Sequence, residues 1–330
     1  MKIFITGSEG FIGSHLVEKL IRDGHKVKAL IQYNSYGNIG HLNFLEEKYK
    51  SKYRKIFGDV RDVDFLTRNI SGSEIVIHLA ALIAIPYSYD AAETYIDTNI
   101  KGTYNVIKAS IKNNIKHIII TSTSEVYGSA QNIPINENHR LLGQSPYAAT
   151  KIAADQIALS FFHSFNAPIT ILRPFNTFGP RQSLRAVIPS IIIQCLKKNK
   201  FIKLGDITTT RDFSYVEDIV NCYSKVLNKK KSIGQVINVG SNYEISIKNL
   251  SELIINLTNS NSKISFDKKR LRPKLSEVTR LKAESSKAKK ILNWKPKFSG
   301  KKGLIYGLKK TIKWYEQNFD FKNQNETYIK

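Results

Sequence analysis

A glycine-punctuated turn near the N-terminus constrains this chain most. The apolar run Lys2-Ile3-Phe4-Ile5 leads into Thr6-Gly7-Ser8-Glu9-Gly10-Phe11-Ile12-Gly13, and a helical stretch follows from Phe11 to Arg22. A strand, three glycines spaced by three and then a helix make a tight turn. Backbone there can approach a pyrophosphate, which sits on the helix N-terminus. Glycines at this spacing can also serve a turn alone. The rhythm continues past the turn. Apolar runs at Lys26 to Ile31, Lys55 to Phe57, Ile75 to His78, His117 to Thr121 and Ile169 to Leu172 alternate with helical stretches. The stretches lie near Val63 to Asn69, Thr94 to Asn113 and Tyr147 to Phe165. Such alternation predicts an α/β fold: a doubly wound parallel sheet of the Rossmann kind, with helices on both faces.

After Arg173-Pro174 the rhythm loosens. Loops carry Gly179-Pro180-Arg181 and Thr208-Thr209-Thr210-Arg211-Asp212, and helices recur near Val187 to Lys198, Val216 to Leu227, Ile247 to Leu257 and Lys301 to Phe319. The expected division is a nucleotide-binding domain over residues 1–173 and a smaller, partly discontinuous C-terminal substrate lobe over 174–330. A chain of 330 residues with 42% hydrophobic content can bury a core for both.

Composition narrows the function classes. No apolar run reaches the length of a membrane helix, and no leader pattern opens the chain, so the expected setting is cytoplasmic. Cys195 and Cys222 form neither a disulfide framework nor a metal motif, and the seven histidines show no ligand spacing. No metal is expected. The formal charge is +24, and residues 263–330 alone hold 20 Lys and Arg against 6 Asp and Glu. Those cations are scattered among apolar residues at helical spacing, which reads as a solvated surface rather than a nucleic-acid site. The field would steer a diphosphate ligand.

The candidate cofactor residues are Gly7, Gly10, Phe11, Ile12 and Gly13, then Gln32, Asp59, Val60, Leu79, Ala80 and Ala81. The second strand ends in Gln32-Tyr33-Asn34-Ser35 where an acid usually grips the ribose, and no Arg stands near to hold a 2′-phosphate. NAD is therefore expected over NADP. Asp59 can accept from an adenine amine or simply fix a turn. Small residues in His78-Leu79-Ala80-Ala81 let a cofactor lie close, or merely pack.

Two further segments carry chemistry. One is Ser122-Thr123-Ser124-Glu125-Val126-Tyr127-Gly128, the other Tyr147-Ala148-Ala149-Thr150-Lys151. Tyr147 and Lys151, four apart on a helix, share a face. An ammonium and the positive nicotinamide would lower the phenol's pKa and make it a base near neutrality. Plainer readings exist: a strand end for Thr123 and Ser124, a cap for Glu125, a surface lysine for Lys151, packing for Tyr127.

Taken with these motifs, the chain resembles the extended short-chain dehydrogenase/reductases that act on nucleotide sugars, over nearly its whole length. Thr123-Ser124-Glu125 is similar to the triad of the dehydratases. The segments Ile83-Ala84-Ile85-Pro86-Tyr87-Ser88-Tyr89, Arg173-Pro174-Phe175-Asn176-Thr177-Phe178-Gly179-Pro180-Arg181-Gln182 and Arg270-Leu271-Arg272-Pro273-Lys274-Leu275-Ser276-Glu277-Val278 resemble the 4,6-dehydratases of the legionaminic acid pathway. The resemblance implies NAD-dependent conversion of a UDP- or GDP-linked N-acetylglucosamine to its 4-keto-6-deoxy form. It makes Thr123, Glu125, Tyr147 and Lys151 catalytic: Tyr147 takes the O4 proton as hydride leaves C4, Thr123 binds O4, Glu125 removes the C5 proton, water leaves from C6 and the hydride returns there. Many sugar dehydratases carry an Asp at the position of Ser124 to protonate the leaving hydroxyl, so here Glu125 is a candidate for both steps. Substrate contacts fall on Ser124, Tyr87, Asn176, Arg185, Arg211 and Arg272, with Arg181 a further diphosphate candidate. By the same resemblance the partner is a nucleotide-diphosphate sugar, and the helices near Thr94 to Asn113 and Tyr147 to Phe165 form a homodimer face. The alternatives are a nucleotide-glucuronate decarboxylase, a nucleotide-sugar 4-epimerase and an NAD-binding regulator without turnover.

Overall fold

A computed structural model describes residues 1–320. Seven parallel strands form the central sheet in the order β10-β6-β5-β4-β1-β2-β3. They are β1 Lys2–Thr6, β2 Lys26–Gln32, β3 Tyr53–Gly58, β4 Ile75–His78, β5 His117–Thr121, β6 Ile169–Pro174 and β10 Val236–Val239. Strands covered on both faces read as unbroken apolar runs, and Ile118, Ile119 and Ile120 of β5 are fully buried. One core lies on each face. Ile3, Ile5, Leu16 and Leu20 belong to the first, and Phe4, Val76, Val106 and Ile118 to the second. Strand order reverses between β1 and its neighbours β2 and β4. The crevice beyond their C-terminal ends is where open α/β sheets hold ligands.

β6 runs through the boundary expected at residue 173, and β10, from the second half of the chain, completes the sheet against it. The remaining strands form two small sheets. β7 (Asn176–Phe178), β9 (Thr210–Tyr215) and β11 (Glu244–Ser246) make one, and β8 (Phe201–Leu204) pairs with β12 (Lys263–Phe266) in the other. Asp212 pins this region: it accepts from Ser241 N (2.9 Å), Ser241 Oγ (2.6 Å) and Ala283 N (3.1 Å).

Two sequence expectations change. The third strand extends past Lys55 to Phe57 at both ends. The helix expected over Thr94 to Asn113 is interrupted: Ala92–Tyr95 is α-helical, Ile96–Lys101 is a wider π turn, and only Gly102–Lys112 resumes the α-helix. The widened turn delivers Asn99 inward. Its amide accepts from Leu82 N (2.9 Å) and donates to Leu82 O (3.0 Å) and Thr150 Oγ1 (3.1 Å). Asn99 thereby ties the loop after β4 to the Pro146–Phe165 helix. Single π turns recur at functional sites.

Candidate active site

Gly7 sits at φ +67°, and a Cβ there would lie 2.7 Å from Ala80 N. A Cβ on Gly13 would lie 2.0 Å from Gly7 O. Only glycine fits either place. Gly10 caps the Phe11–Arg22 helix, whose first turn has no acid, so the N–H groups of Phe11, Ile12 and Gly13 have no intrahelical acceptor. An open cradle with unused amides at a positive helix end fits a dinucleotide pyrophosphate. Leu79 N and Ala80 N both donate to Thr6 Oγ1 (3.2 and 3.1 Å), which fixes the small residues of the β4 end against this turn.

His78 is locked behind them. Thr103 Oγ1 donates to Asn99 O, so it accepts from His78 Nε2–H at 3.1 Å. Nδ1 is then bare and accepts the Thr6 hydroxyl at 2.8 Å. Burial, with Lys151 nearby, pushes the His78 pKa down to about 3. It is a structural neutral histidine.

At the end of β2, Gln32 gives its N–H to Glu9 Oε1 at 2.8 Å. Asp59 accepts from the backbone and guanidinium of Arg61, while the cap of the next helix is Asp62. Asp59 fixes a turn in this structure. Val60 is buried, and its carbonyl accepts from Asn105.

The catalytic candidates converge. Ser122, Thr123, Ser124 and Glu125 follow β5 and turn sharply, and Ser145 caps the Pro146–Phe165 helix by accepting from Ala148 N at 3.1 Å. That cap sets Tyr147 and Lys151 facing inward, both buried. Thr123 Oγ1 accepts Glu125 N–H at 3.2 Å and lies close enough to the Tyr147 phenol to favour its ionised form. Glu125 is 7% exposed, and its charge acts on Tyr147, Tyr89 and Arg211. Lys151 Nζ donates to Thr121 O at 2.7 Å. Burial lowers its pKa to about 8, against the pull of Asp155. Burial also pushes the Tyr147 phenol up, opposed by the Thr123 hydroxyl and reinforced by Glu125. Desolvation thus dominates, and the lowering expected from Lys151 is not among the effects on this phenol, leaving the nicotinamide as the other cation invoked for it.

A cleft of about 490 Å³ is lined by Ala81, Leu82, Ile83, Ala84, Tyr87, Tyr95 and Arg185. The Tyr95 ring meets those of Tyr147 and Tyr87 at 6.3 and 6.1 Å. Arg211 on β9 donates to Glu277 Oε1 at 3.1 Å, and Arg272 reaches the same oxygen at 3.5 Å. Both arginines therefore meet near Glu125. The buried Oδ1 of Asn176 has no partner among the described residues. Arg181 lies elsewhere: its Nη2 donates to Glu18 (2.7 Å) and to Phe44 O (2.9 Å), so it ties the two lobes together. Tyr127 does more than pack, donating to Asn238 Oδ1 at 2.7 Å. Among the described residues no group of three or more His, Cys, Asp or Glu could hold a metal, and no helix is long and apolar enough to cross a membrane.

Fold and site together define an enzyme built on a dinucleotide cradle with a Tyr–Lys pair beside it. The family model described as GDP-mannose 4,6 dehydratase matches residues 4–305, and the chain belongs to this family of extended short-chain dehydrogenases/reductases. Human dTDP-D-glucose 4,6-dehydratase is 31% identical over 326 residues, which cover 96% of this chain and 91% of that protein. A UDP-N-acetyl-alpha-D-glucosaminuronate decarboxylase of Bacillus cytotoxicus is 32% identical over 336 residues, 96% and 98% of the two chains. Among solved structures, dTDP-glucose 4,6-dehydratase from Bacillus anthracis in complex with NAD superposes with a TM-score of 0.83, 26% identity and 97% coverage of both chains. UDP-glucuronic acid 4-epimerase from Bacillus cereus, in complex with UDP-glucuronic acid and NAD, gives 0.86, 29% identity and coverage of 96% and 99%.

Proposed function

We propose that the protein dehydrates a nucleotide-linked hexose at C4–C6, with UDP- or GDP-N-acetylglucosamine as substrate, in the manner of the enzymes serving legionaminic acid synthesis. The observation that carries this reading is a buried carboxylate, Glu125, acting on the Tyr147 phenol and on Arg211 at once. Bound NAD would accept a hydride from the sugar and later return it. Gly7, Gly10, Phe11, Ile12 and Gly13 would hold its pyrophosphate, with Leu79, Ala80 and Ala81 alongside. Tyr147 takes the O4 proton, and Thr123, close to that phenol, orients O4. Glu125 removes the proton at C5, made acidic by the neighbouring ketone, and can give it to the departing C6 hydroxyl, which leaves as water, since Ser124 carries no acid; as the hydride returns to C6, C5 regains a proton from solvent. Arg211, Arg272 and Asn176 take the diphosphate side, and Tyr87 and Arg185 the sugar face of the cleft. We read the working form as a cytoplasmic homodimer joined through the Gly102–Lys112 and Pro146–Phe165 helices, which expose Tyr104, Ile111 and Phe165.

A second reading, nucleotide-uronate decarboxylation, draws on the Bacillus cytotoxicus relative and on Arg185 beside the cleft, where it could meet a carboxylate. Two assays separate them: a 4-keto chromophore in alkali from nucleotide-linked N-acetylglucosamine, and carbon dioxide from nucleotide-glucuronate. In the first, Glu125→Gln is expected to lower turnover by roughly 10²–10⁴-fold. Water loss at the wild-type rate in that variant would overturn the role of Glu125.

A further inference from the structure

Behind Tyr147 and Lys151 lies a second layer of charge. Asp155, one turn beyond Lys151 on the same helix, is wholly buried. Its Oδ2 accepts from Ser122 Oγ (2.8 Å) and from Arg173 Nε and Nη2 (3.0 Å each). Its Oδ1, also buried, has no hydrogen-bond partner among the described residues. Arg173 on β6 is 2% exposed and donates through Nη1 to Tyr127 Oη at 3.0 Å. Tyr127 passes the chain to Asn238 on β10, whose N–H ends on Glu137 Oε1 at 2.8 Å. Five sequence-distant segments thus meet at one buried ion pair.

Charge counting gives this pair a purpose. Lys151 and Arg173 are two buried cations, and both act on the buried Asp155 carboxyl: burial raises its pKa, and Arg173 first and Lys151 second oppose that. An ammonium taken out of water gives up its proton unless an anion stands near. Lys151 Nζ has a neutral carbonyl, Thr121 O, as its hydrogen-bond acceptor. The other groups around it supply no such anion. His78 from β4 is neutral. Tyr95 donates to Ala84 O. Tyr223 from the Val216–Val226 helix bonds Thr121 Oγ1 at 2.6 Å. Tyr127 serves Arg173, Glu125 acts on Tyr147 and Arg211, and Asp97 on the π turn faces Arg61. Asp155 is the anion that acts on Lys151.

We propose that Asp155 is a positioning residue that holds Lys151 as an ammonium beside Tyr147, with Arg173 and Ser122 keeping the Asp155 carboxylate ionised. The inference rests on reading Tyr147 and Lys151 as the catalytic pair. Ser122 and Arg173 take one oxygen of Asp155 and the other makes no hydrogen bond, so Asp155 acts on Lys151 through its charge.

The test is the pH profile of kcat for the NAD-loaded enzyme with UDP-N-acetylglucosamine, or with whichever of a set of nucleotide sugars it turns over fastest. Asp155→Asn keeps shape and removes charge. Its alkaline limb is expected to move acidward by about one pH unit or more, with kcat at pH 8 lowered about fivefold or more and KM little changed. Asp155→Glu keeps the charge and is expected to leave the limb near its wild-type position. A merely structural role would be hurt more by the longer Glu than by the isosteric Asn, and would not move the limb. An Asp155→Asn profile superimposed on wild type, or an equal acidward shift in Asp155→Glu, overturns the proposal. Lys151→Met separates the layers: turnover surviving in it sinks the catalytic reading itself, whereas a dead Lys151→Met beside an unmoved Asp155→Asn profile sinks only the role of Asp155.

Discussion

In the proposed mechanism Lys151 works as a cation, and burial lowers its pKa to about 8. The sign follows directly. The ammonium is present below that pKa and lost as pH rises through it, so kcat should fall on the alkaline side from near pH 8. A profile flat to pH 10 would contradict this. Tyr147→Phe removes the proton acceptor while keeping the ring that packs against Tyr95, and turnover should drop roughly 10²–10⁴-fold with the fold intact. These residues were legible in the sequence because their signal is local. Tyr147 and Lys151 are one helical turn apart, and Thr123 to Glu125 are consecutive. Asn99, Asp155 and Arg173 were not legible as a working set. Asn99 meets Thr150, 51 positions on, and Ser122 meets Asp155, 33 positions on. No periodicity encodes such pairs. The one local hint was an Asn inside an apolar helical stretch, where it is a poor helix former.

Among elements, the glycine turn makes the sharpest prediction. Gly13→Ala places a Cβ 2.0 Å from Gly7 O, and Gly37→Ala, at φ +64°, has nothing within 4 Å. The first should abolish NAD retention and lower Tm by many degrees. The second should cost only the left-handed strain, about 1–2 kcal/mol, and keep NAD. Absorbance of bound dinucleotide and a thermal melt check both, and equal losses in the two variants would contradict the close-packing argument. The strands and most helices of the first half were readable because buried parallel strands are continuous apolar runs. The π turn was not, since Thr94 to Asn113 carries an ordinary helical pattern, and the break follows from what Asn99 must reach. β10 was missed as a member of the main sheet because its partner β6 lies more than sixty residues earlier, across the expected domain boundary.

At the scale of the whole molecule, three desolvated histidines, the buried His78 and His117 and the half-buried His15, weigh against stability in acid. Burial pushes His15 and His78 down to about 3 and His117 to about 4. The unfolded chain binds protons at these sites below pH 6.5 and the folded chain does not, so stability rises with pH across that window and is lost as pH falls. Asp212, pushed up to about 6 by burial, works the other way between 3.8 and 6. The net loss between pH 6.5 and 5 should be on the order of 3 kcal/mol, read by urea unfolding. Unchanged or rising stability over that interval would contradict it.

The central claim is that a phenolate and a carboxylate act on adjacent carbons of one hexose. Mass spectrometry of a nucleotide-sugar panel turned over in deuterated water tests it most directly. The account predicts a product from UDP- or GDP-N-acetylglucosamine that is lighter by one water and carries solvent deuterium at C5, with no net consumption of NAD. An isomer of unchanged mass, a product formed only from a uronate with loss of carbon dioxide, or retention of the original C5 hydrogen would contradict it.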